Sequence, residues 1–511
     1  MKTGAAGLAG LALFGHMKGE MTSTAHHEPF PELVEITIAD LQAKMRSGEL
    51  TSHKIVEMYL ERIKHLDTKL HSVIEVNPQA LAIADGLDKE RKRGKVRSLL
   101  HGVPILIKDN IDTADKMLTT AGSLALVDAP VPKEDAFVAQ RLRKAGAVII
   151  GKTNLSEWAN FRSTKSISGW SGRGGQTNNP YYLDQNPCGS SSGSGVAVSA
   201  NLAAAAVGTE TNGSVICPAV TNGVVGIKPT LGLVSRSGVV PIAHTQDTAG
   251  PMARAVTDAA ILLGALVGRD KSDAVTSAAE KNAAKDYTKF LDADGLRGAR
   301  LGLVMQYTTR QEVKDYFKKY VDVLRDAGAT LVEVTFTPDY TKLADDRLNI
   351  LLYEFKTDLN KYLVARGAKY KSLDELIKFN DENKEKELPK FGQELFEQST
   401  KKGDLTDKAY IDARAKMDKA TRDDGIDTLI ATNKLDALVA PTSGATWSIA
   451  AVAGYPYITV PVGLRENTPS GMAFFGRAYS EPSLIKYAYS FEQKTKGRVT
   501  PQYLATYPKK P

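Results

Sequence analysis

Six short apolar runs punctuate the chain: Val103–Ile107, Ala147–Ile150, Leu301–Met305, Leu331–Phe336, Leu435–Ala440 and Ile458–Val462. Each has the length of a strand, and between them apolar residues recur at helical spacing. Strands that are apolar throughout are covered on both faces, and helices in the connections supply the cover. The alternation predicts an α/β fold with a mixed, mostly parallel twisted sheet and helices on both faces. At roughly 150 residues per domain a chain of 511 residues suggests three units. A single wide sheet also serves a chain this long, and residues 31–511 are read as one large domain.

Local signals place its first elements. Thr37 followed by Asp40 reads as a capping box, with Leu41 and Met45 apolar and Gly48 as the stop. A second helix is expected from Ser52, burying Ile55, Val56, Tyr59, Leu60 and Ile63. Residues 340–435 carry most of the Lys/Glu density and read as a solvated helical excursion from the same domain. Ahead of these, residues 1–30 are either a leader or a disordered tail. Gly4–Phe14 is an apolar run of the length found in secretory signals, without a clean cleavage site. Export to the periplasm and a cytoplasmic location both stay open.

Composition excludes several classes. Hydrophobic residues at 42% and charged residues at 24% are ordinary globular values. The formal net charge of +7 is spread along the chain, without the basic stripe of a nucleic-acid binder. No apolar run approaches the ~18 residues of a membrane-spanning helix. Two cysteines are too few for a disulfide framework, and no Cys-x-x-Cys or His-Glu-x-x-His suggests a metal.

The region Ser166–Gly250 stands apart. It is dense in Gly, Ser, Thr and Asn, yet contains segments such as Val196–Val207 whose small side chains suit a helix packed close to backbone. Glycines set among such segments mark positive φ or the close approach of a ligand, so an active site is expected here. Familiar motifs nearby fail. Gly146–Thr153 fits the phosphate-loop pattern, but Ala147–Ile150 wants to be a buried strand and a helical pattern, Asp135–Ala145, precedes it. Gly189-x-Ser191-x-Gly193 fits a nucleophile elbow, which needs a later acid and then a histidine. The last histidine is His244, and Glu210 is the only acid between it and Ser191. Ser483–Lys486 and Ser399–Lys402 lack the companion motifs of a penicillin-binding enzyme. Cys188 and Cys217 read as small buried hydrophobes in preference to a catalytic thiol, with no histidine close in sequence.

A serine nucleophile in this region needs a base other than imidazole: a carboxylate, a metal-bound hydroxide or a neutral lysine. Lys108 ends the apolar run His101–Lys108, where burial disfavours the charged ammonium. Bringing a lysine from about 10.4 to near 7 costs roughly 4 to 5 kcal/mol of differential solvation. The competing reading is a salt bridge to Asp109 or another carboxylate, which leaves the lysine charged and inert.

The blocks Gly189-Ser-Ser-Ser-Gly-Ser-Gly195, Gly208-Thr-Glu-Thr-Asn-Gly-Ser214 and Gly226-Ile-Lys-Pro229 resemble the amidase signature family. So do Gly102–Asn110 and Gly151–Ala159 upstream, and weaker similarity runs from about residue 33 to 495. Trp158-Ala-Asn-Phe161, Ser168-Gly-Trp-Ser171 and Gly174-Gly-Gln-Thr177 are similar to the bacterial peptide-amidase branch. The resemblance implies an amidase: Lys108 as base, Ser190 as a bridging serine held by a cis peptide bond, and Ser214 as the nucleophile that forms an acyl-enzyme. It places Thr211, Asn212 and Gly213 at the oxyanion, with Ser191 and Trp158 near substrate. It further implies no cofactor, no metal, no nucleic-acid or membrane partner and no obligate protein partner, with a small-molecule or peptide amide as substrate.

Departures from the family pattern bear on specificity. Glu210-Thr-Asn212-Gly-Ser214 stands where many members have Asp-x-Gly-Gly-Ser, and Ile216 replaces a usual arginine. Trp447-Ser-Ile449 runs straight into Ala450–Pro456, where peptide amidases carry extra loop residues. Trp158, Phe161, Trp170 and Tyr181 either line an apolar cleft or belong to the core. The leading expectation is deamidation of C-terminal peptide amides or related carboxamides. An amidotransferase A-type subunit that transfers ammonia, and a fatty-acid or aryl amide hydrolase, are the alternatives.

Overall fold

A computed structural model describes residues 29–508. The apolar run Gly4–Phe14, and with it the choice between leader and tail, lies outside the described residues. Among the described residues thirteen strands form: β1 (Val73–Val76), β2 (Pro104–Lys108), β3 (Val148–Thr153), β4 (Trp170–Ser171), β5 (Gly175–Gln176), β6 (Ala205–Glu210), β7 (Val225–Lys228), β8 (Thr248–Ala253), β9 (Arg300–Leu303), β10 (Thr330–Glu333), β11 (Ala437–Pro441), β12 (Tyr457–Arg465) and β13 (Thr468–Phe475). Eleven make one sheet in the order β1-β3-β2-β6-β8-β7-β12-β13-β11-β9-β10, and β4 pairs with β5 separately. The six apolar runs expected as strands are β2, β3, β9, β10, β11 and β12.

The sheet is mixed, as expected, and its parallel neighbours fall in two blocks, β3-β2-β6 and β11-β9-β10. Parallel neighbours need a crossover, and helices at Phe137–Ala145, Ser192–Ser199 and Gln311–Asp326 lie in those connections. Between the blocks β8, β7, β12 and β13 run antiparallel. The β12–β13 hairpin turns on Glu466 and Asn467, both at positive φ, the two-residue geometry that matches strand twist. Thr37 and Asp40 form their capping box and Gly48 ends that helix in the left-handed region. In the next helix, Ser52–Leu70, the expected Ile55, Val56, Tyr59 and Ile63 are buried.

The phosphate-loop pattern is, as anticipated, a strand. Val148–Thr153 is fully buried, and Lys152 donates to Ile111 O (2.6 Å) and Thr119 Oγ1 (2.9 Å). The segment Val196–Val207, expected to be helical throughout, divides: the helix ends at Ser199 and β6 begins at Ala205. Small apolar residues satisfy either pattern once both faces are covered, and β6 is buried along its whole length. The helix Ser192–Ser199 lies close against its surroundings; a Cβ on Gly195 would sit 2.9 Å from Pro218 O.

The helical excursion contains Ala344–Arg366, Leu373–Glu382, Glu394–Thr400 and Lys408–Asp418. It is less solvated than its charge suggests. Phe355, Leu359, Leu363, Leu376 and Phe396 pack with Ala121, Leu126, Trp158, Phe161, Val240 and Ile242 in an apolar cluster distinct from the main core. That cluster seats the excursion over the Gly/Ser-rich region.

Candidate active site

Lys108 is the last residue of β2 and is completely buried. Its Nζ donates to Ser190 Oγ (2.8 Å), Thr209 Oγ1 (2.8 Å) and Thr209 O (3.3 Å). Among the described residues it forms no salt bridge. Asp109 is committed elsewhere: it accepts from the Thr120 hydroxyl and pairs with Arg173 at 3.4 Å. Burial pulls the Lys108 amine down to about 7, against the more distant charges of Asp247 and Glu210, which favour its protonation. The amine is therefore half neutral near pH 7 and faces only neutral oxygens.

Ser190 follows a cis peptide bond after Gly189. Its carbonyl accepts from Ser156 N (3.1 Å), fixing the backbone whose hydroxyl meets Lys108. Ser191 N donates to Ser214 O (3.0 Å), so the two serine segments share a backbone hydrogen bond. The Ser191 hydroxyl, expected near substrate, is occupied: it donates to Thr209 O (3.0 Å) and accepts from Thr209 N (3.1 Å). With no exposed surface, Ser191 is a strut between its helix and β6. The cysteines also differ from expectation. Cys188 and Cys217 are half-buried and joined in a disulfide across 29 residues, with Cα atoms 5.8 Å apart. No sequence signal pairs them; the folding of the Ser190 and Ser214 segments against each other does.

Thr211–Ser214 forms the turn after β6. Glu210 Oε2 accepts from Val215 N (2.7 Å) and Ile216 N (3.0 Å), holding the turn at the start of the helix Ile216–Thr221. Thr211 Oγ1 donates to Asp247 Oδ1 (2.5 Å). Asn212 Oδ1 accepts from Ser448 Oγ (2.6 Å), which turns the extra side chain noted in the sequence away to a neighbouring helix. Gly213 has φ of 83°, and a Cβ there would run into the Trp447 indole. Ser214 is 7% exposed. Among the described residues the amides of Asn212, Gly213 and Ser214 have no acceptor. Backbone donors left unpaired in a nearly buried turn are rare, and such a row can receive a negative oxygen.

A cavity of about 380 Å³ opens beside this turn, lined among others by Asn110, Thr209, Thr211, Val240, Ile242 and Tyr362. Its polar wall includes His244, whose Nδ1 lies 2.8 Å from Asp358. The aromatics left open by the sequence are core. Trp158 is 2% exposed and packs edge to face on Phe396 (5.9 Å), leaving the main cavity wall to its neighbour Ala159. Phe161 packs on Phe355 and Trp170 on Phe391, and the buried Tyr181 accepts from Arg498 at 2.9 Å. Two residues at the centre went unnoticed in the sequence. Thr209 sits inside a recognised block but points along it towards Lys108 and Asn110; Asp247 lies in the Gly-dense region with no motif around it.

A lysine held near neutrality against a serine, beside a turn of free amides, is equipment for acyl transfer, and comparisons with known proteins agree. A family model, Amidase, matches residues 54–451. A probable amidase from Arabidopsis thaliana is 44% identical over 481 residues, covering 92% of each chain. The native peptide amidase from Stenotrophomonas maltophilia is 49% identical, with a TM-score of 0.89 over 93% of this chain and 100% of that one. The A-type subunit of the glutamyl-tRNA(Gln) amidotransferase from Caldanaerobacter subterraneus is 32% identical over 503 residues, 92% of this chain and 99% of the relative. The chain belongs to the amidase family and is an amide hydrolase.

Proposed function

We propose that the chain hydrolyses the terminal carboxamide of peptide amides through a Ser-Ser-Lys relay, with Ser214 as nucleophile. Neutral Lys108 takes the proton of Ser190, Ser190 takes that of Ser214, and Ser214 Oγ attacks the amide carbonyl. The negative oxygen lies against the amides of the Thr211–Ser214 turn, where losing one donor typically costs about 3 kcal/mol of the barrier. The relay run backwards protonates the leaving nitrogen, ammonia departs, and water then cleaves the acyl-enzyme. The observation that carries this reading is the buried Lys108 amine, bonded to Ser190 and, among the described residues, to no carboxylate.

The choice of peptide amides draws on the 49% identity to a peptide amidase and on a cavity large enough for more than a bare carboxamide. Ammonia release by the purified chain from amidated peptides, fatty amides, aryl amides and glutamine tests it. Turnover of amidated peptides first among these is expected, and turnover confined to glutamine would move the assignment to the amidotransferase reading that the 32% relative favours. We further propose that the protein works in an oxidising compartment, because the Cys188–Cys217 disulfide persists where thiols are not kept reduced. Free thiols at both positions in protein taken from its native cells would refute that.

A further inference from the structure

Asp247 stands just before β8, 8% exposed, with both carboxylate oxygens engaged. Oδ1 accepts from the Thr211 hydroxyl at 2.5 Å. Oδ2 accepts from the amides of Ile242 (2.8 Å) and Ala243 (2.9 Å). One carboxylate thus joins the amide-lined turn to the loop Val240–His244, which also lines the cavity. Burial pushes its carboxyl up to about 6, against these hydrogen bonds and the charge of Arg236, so it carries its charge above that pH. Among the described residues no cation makes a salt bridge with Asp247, and the facing Arg236 is committed to Asp273, with Nε to Oδ2 at 2.9 Å. The charges of Asp247 and Glu210 favour the protonated form of Lys108, and His244, on the same cavity as Asp247, is paired with Asp358 at 2.8 Å.

We propose that Asp247 is a positioning residue for the hydrolysis, orienting Thr211 in the turn and keeping a negative charge turned towards Lys108. The inference rests on the relay described above. Hydrogen bonding alone does not require an acid here. An asparagine could accept from Ile242 and Ala243 through its oxygen and donate to Thr211 Oγ1, whose hydroxyl can reverse. What an asparagine cannot supply is charge. Lys108 enters the relay neutral and becomes an ammonium as it draws the proton off Ser190. That ammonium forms in a buried site whose contacts are all neutral oxygens. A nearby carboxylate that is ionised above about pH 6 stabilises it more than it stabilises the neutral amine, so its effect is greater in the transition state than before it.

The sign follows. Without the carboxylate, Lys108 binds its proton less tightly, so it stays neutral to lower pH but is a weaker base. Two unit charges several ångströms apart in a partly screened interior interact by enough to move the lysine by about one pH unit. In Asp247→Asn the rising acid limb of kcat/KM is therefore expected about one unit below that of the wild type. The plateau kcat is expected to fall by up to tenfold. Asp247→Glu keeps the charge but displaces Thr211, so its limb is expected to stay within about 0.3 unit of wild type while kcat falls. Circular dichroism confirms the fold of each variant.

An acid limb of Asp247→Asn that coincides with wild type overturns the inference, as does an Asp247→Glu limb moved by a full unit; the second arm decides alone if Asp247→Asn does not fold. Failure of the relay itself has a different signature. The wild-type profile would then lack a limb near pH 7 altogether, before any variant is compared.

Discussion

Replacing Lys108 with methionine is expected to give an enzyme that is inactive and more stable. The folded state holds this amine at about 7, against an ordinary value of 10.5. Each unit of that difference is 1.36 kcal/mol, so folding the protonated chain costs about 4 to 5 kcal/mol at this one site. Protonation favours the unfolded chain. The destabilisation is complete below about pH 7, shrinks between 7 and 10.5, and is gone above that range. Methionine is of similar length and carries no charge, so it escapes the cost. It also deprives Ser190 and Thr209 of a donor, which returns about 1 to 2 kcal/mol. The net gain is about 3 kcal/mol below neutrality, roughly 3 °C in Tm for a chain of 511 residues. Thermal unfolding of both proteins from pH 5 to 10 reads the difference directly. A gap that does not narrow as pH rises, or a variant less stable than wild type at pH 6, would refute a buried amine of low proton affinity. Retained amide hydrolysis by the variant would refute Lys108 as the base.

Three further outcomes are expected. Reduction of the Cys188–Cys217 disulfide removes a cross-link spanning 29 residues and should lower stability by about 3 to 4 kcal/mol; an unchanged melt after thiol titration shows both cysteines free would contradict this. Gly213→Ala places a methyl group against the Trp447 indole at a positive φ. It should cut kcat about 10- to 100-fold with little change in melting temperature, and undiminished turnover would exclude the turn's amides from the reaction. Phe396→Ala opens a hole where Trp158 and Phe355 meet a fully buried ring; chemical denaturation should show a loss of about 3 to 5 kcal/mol, and a loss under 1 kcal/mol would mean that the excursion is not seated by this cluster.

What was legible in the sequence divides along physical lines. Val148–Thr153 and Tyr457–Arg465 declare themselves because bulky β-branched residues in a short run have few other uses. Ala205–Glu210, Val225–Lys228 and Thr248–Ala253 do not, being short stretches rich in Ala, Gly and Pro whose strand character comes from neighbours on both sides. The hairpin at Glu466–Asn467 lacks the Asn-Gly signal that such turns usually carry. At the site, the structure brings Lys108 and Ser190 into contact; Lys108 was singled out by its place at the end of an apolar run, and Ser190 and Ser214 by the resemblance of their glycine-containing blocks. Thr209, Asp247 and the disulfide were not, since each acts through a partner far along the chain. Ser191 shows the opposite error, a serine inside the motif whose hydroxyl is spent on backbone.

The cavity draws its lining from separate stretches of polypeptide: Thr209 and Thr211 lie in and just after β6, whereas Tyr362 and Asp358 ride on the long helix of the excursion. That helix bonds to neighbouring segments through Tyr362 to Asp112 and Asp358 to His244, and among the described residues it makes no hydrogen bond to Lys108, Ser190 or Ser214. On the function proposed above, choice of guest and bond cleavage would be housed in different pieces of the molecule, and substitutions along one helix would change which amides are admitted while the machinery that cuts them stays intact.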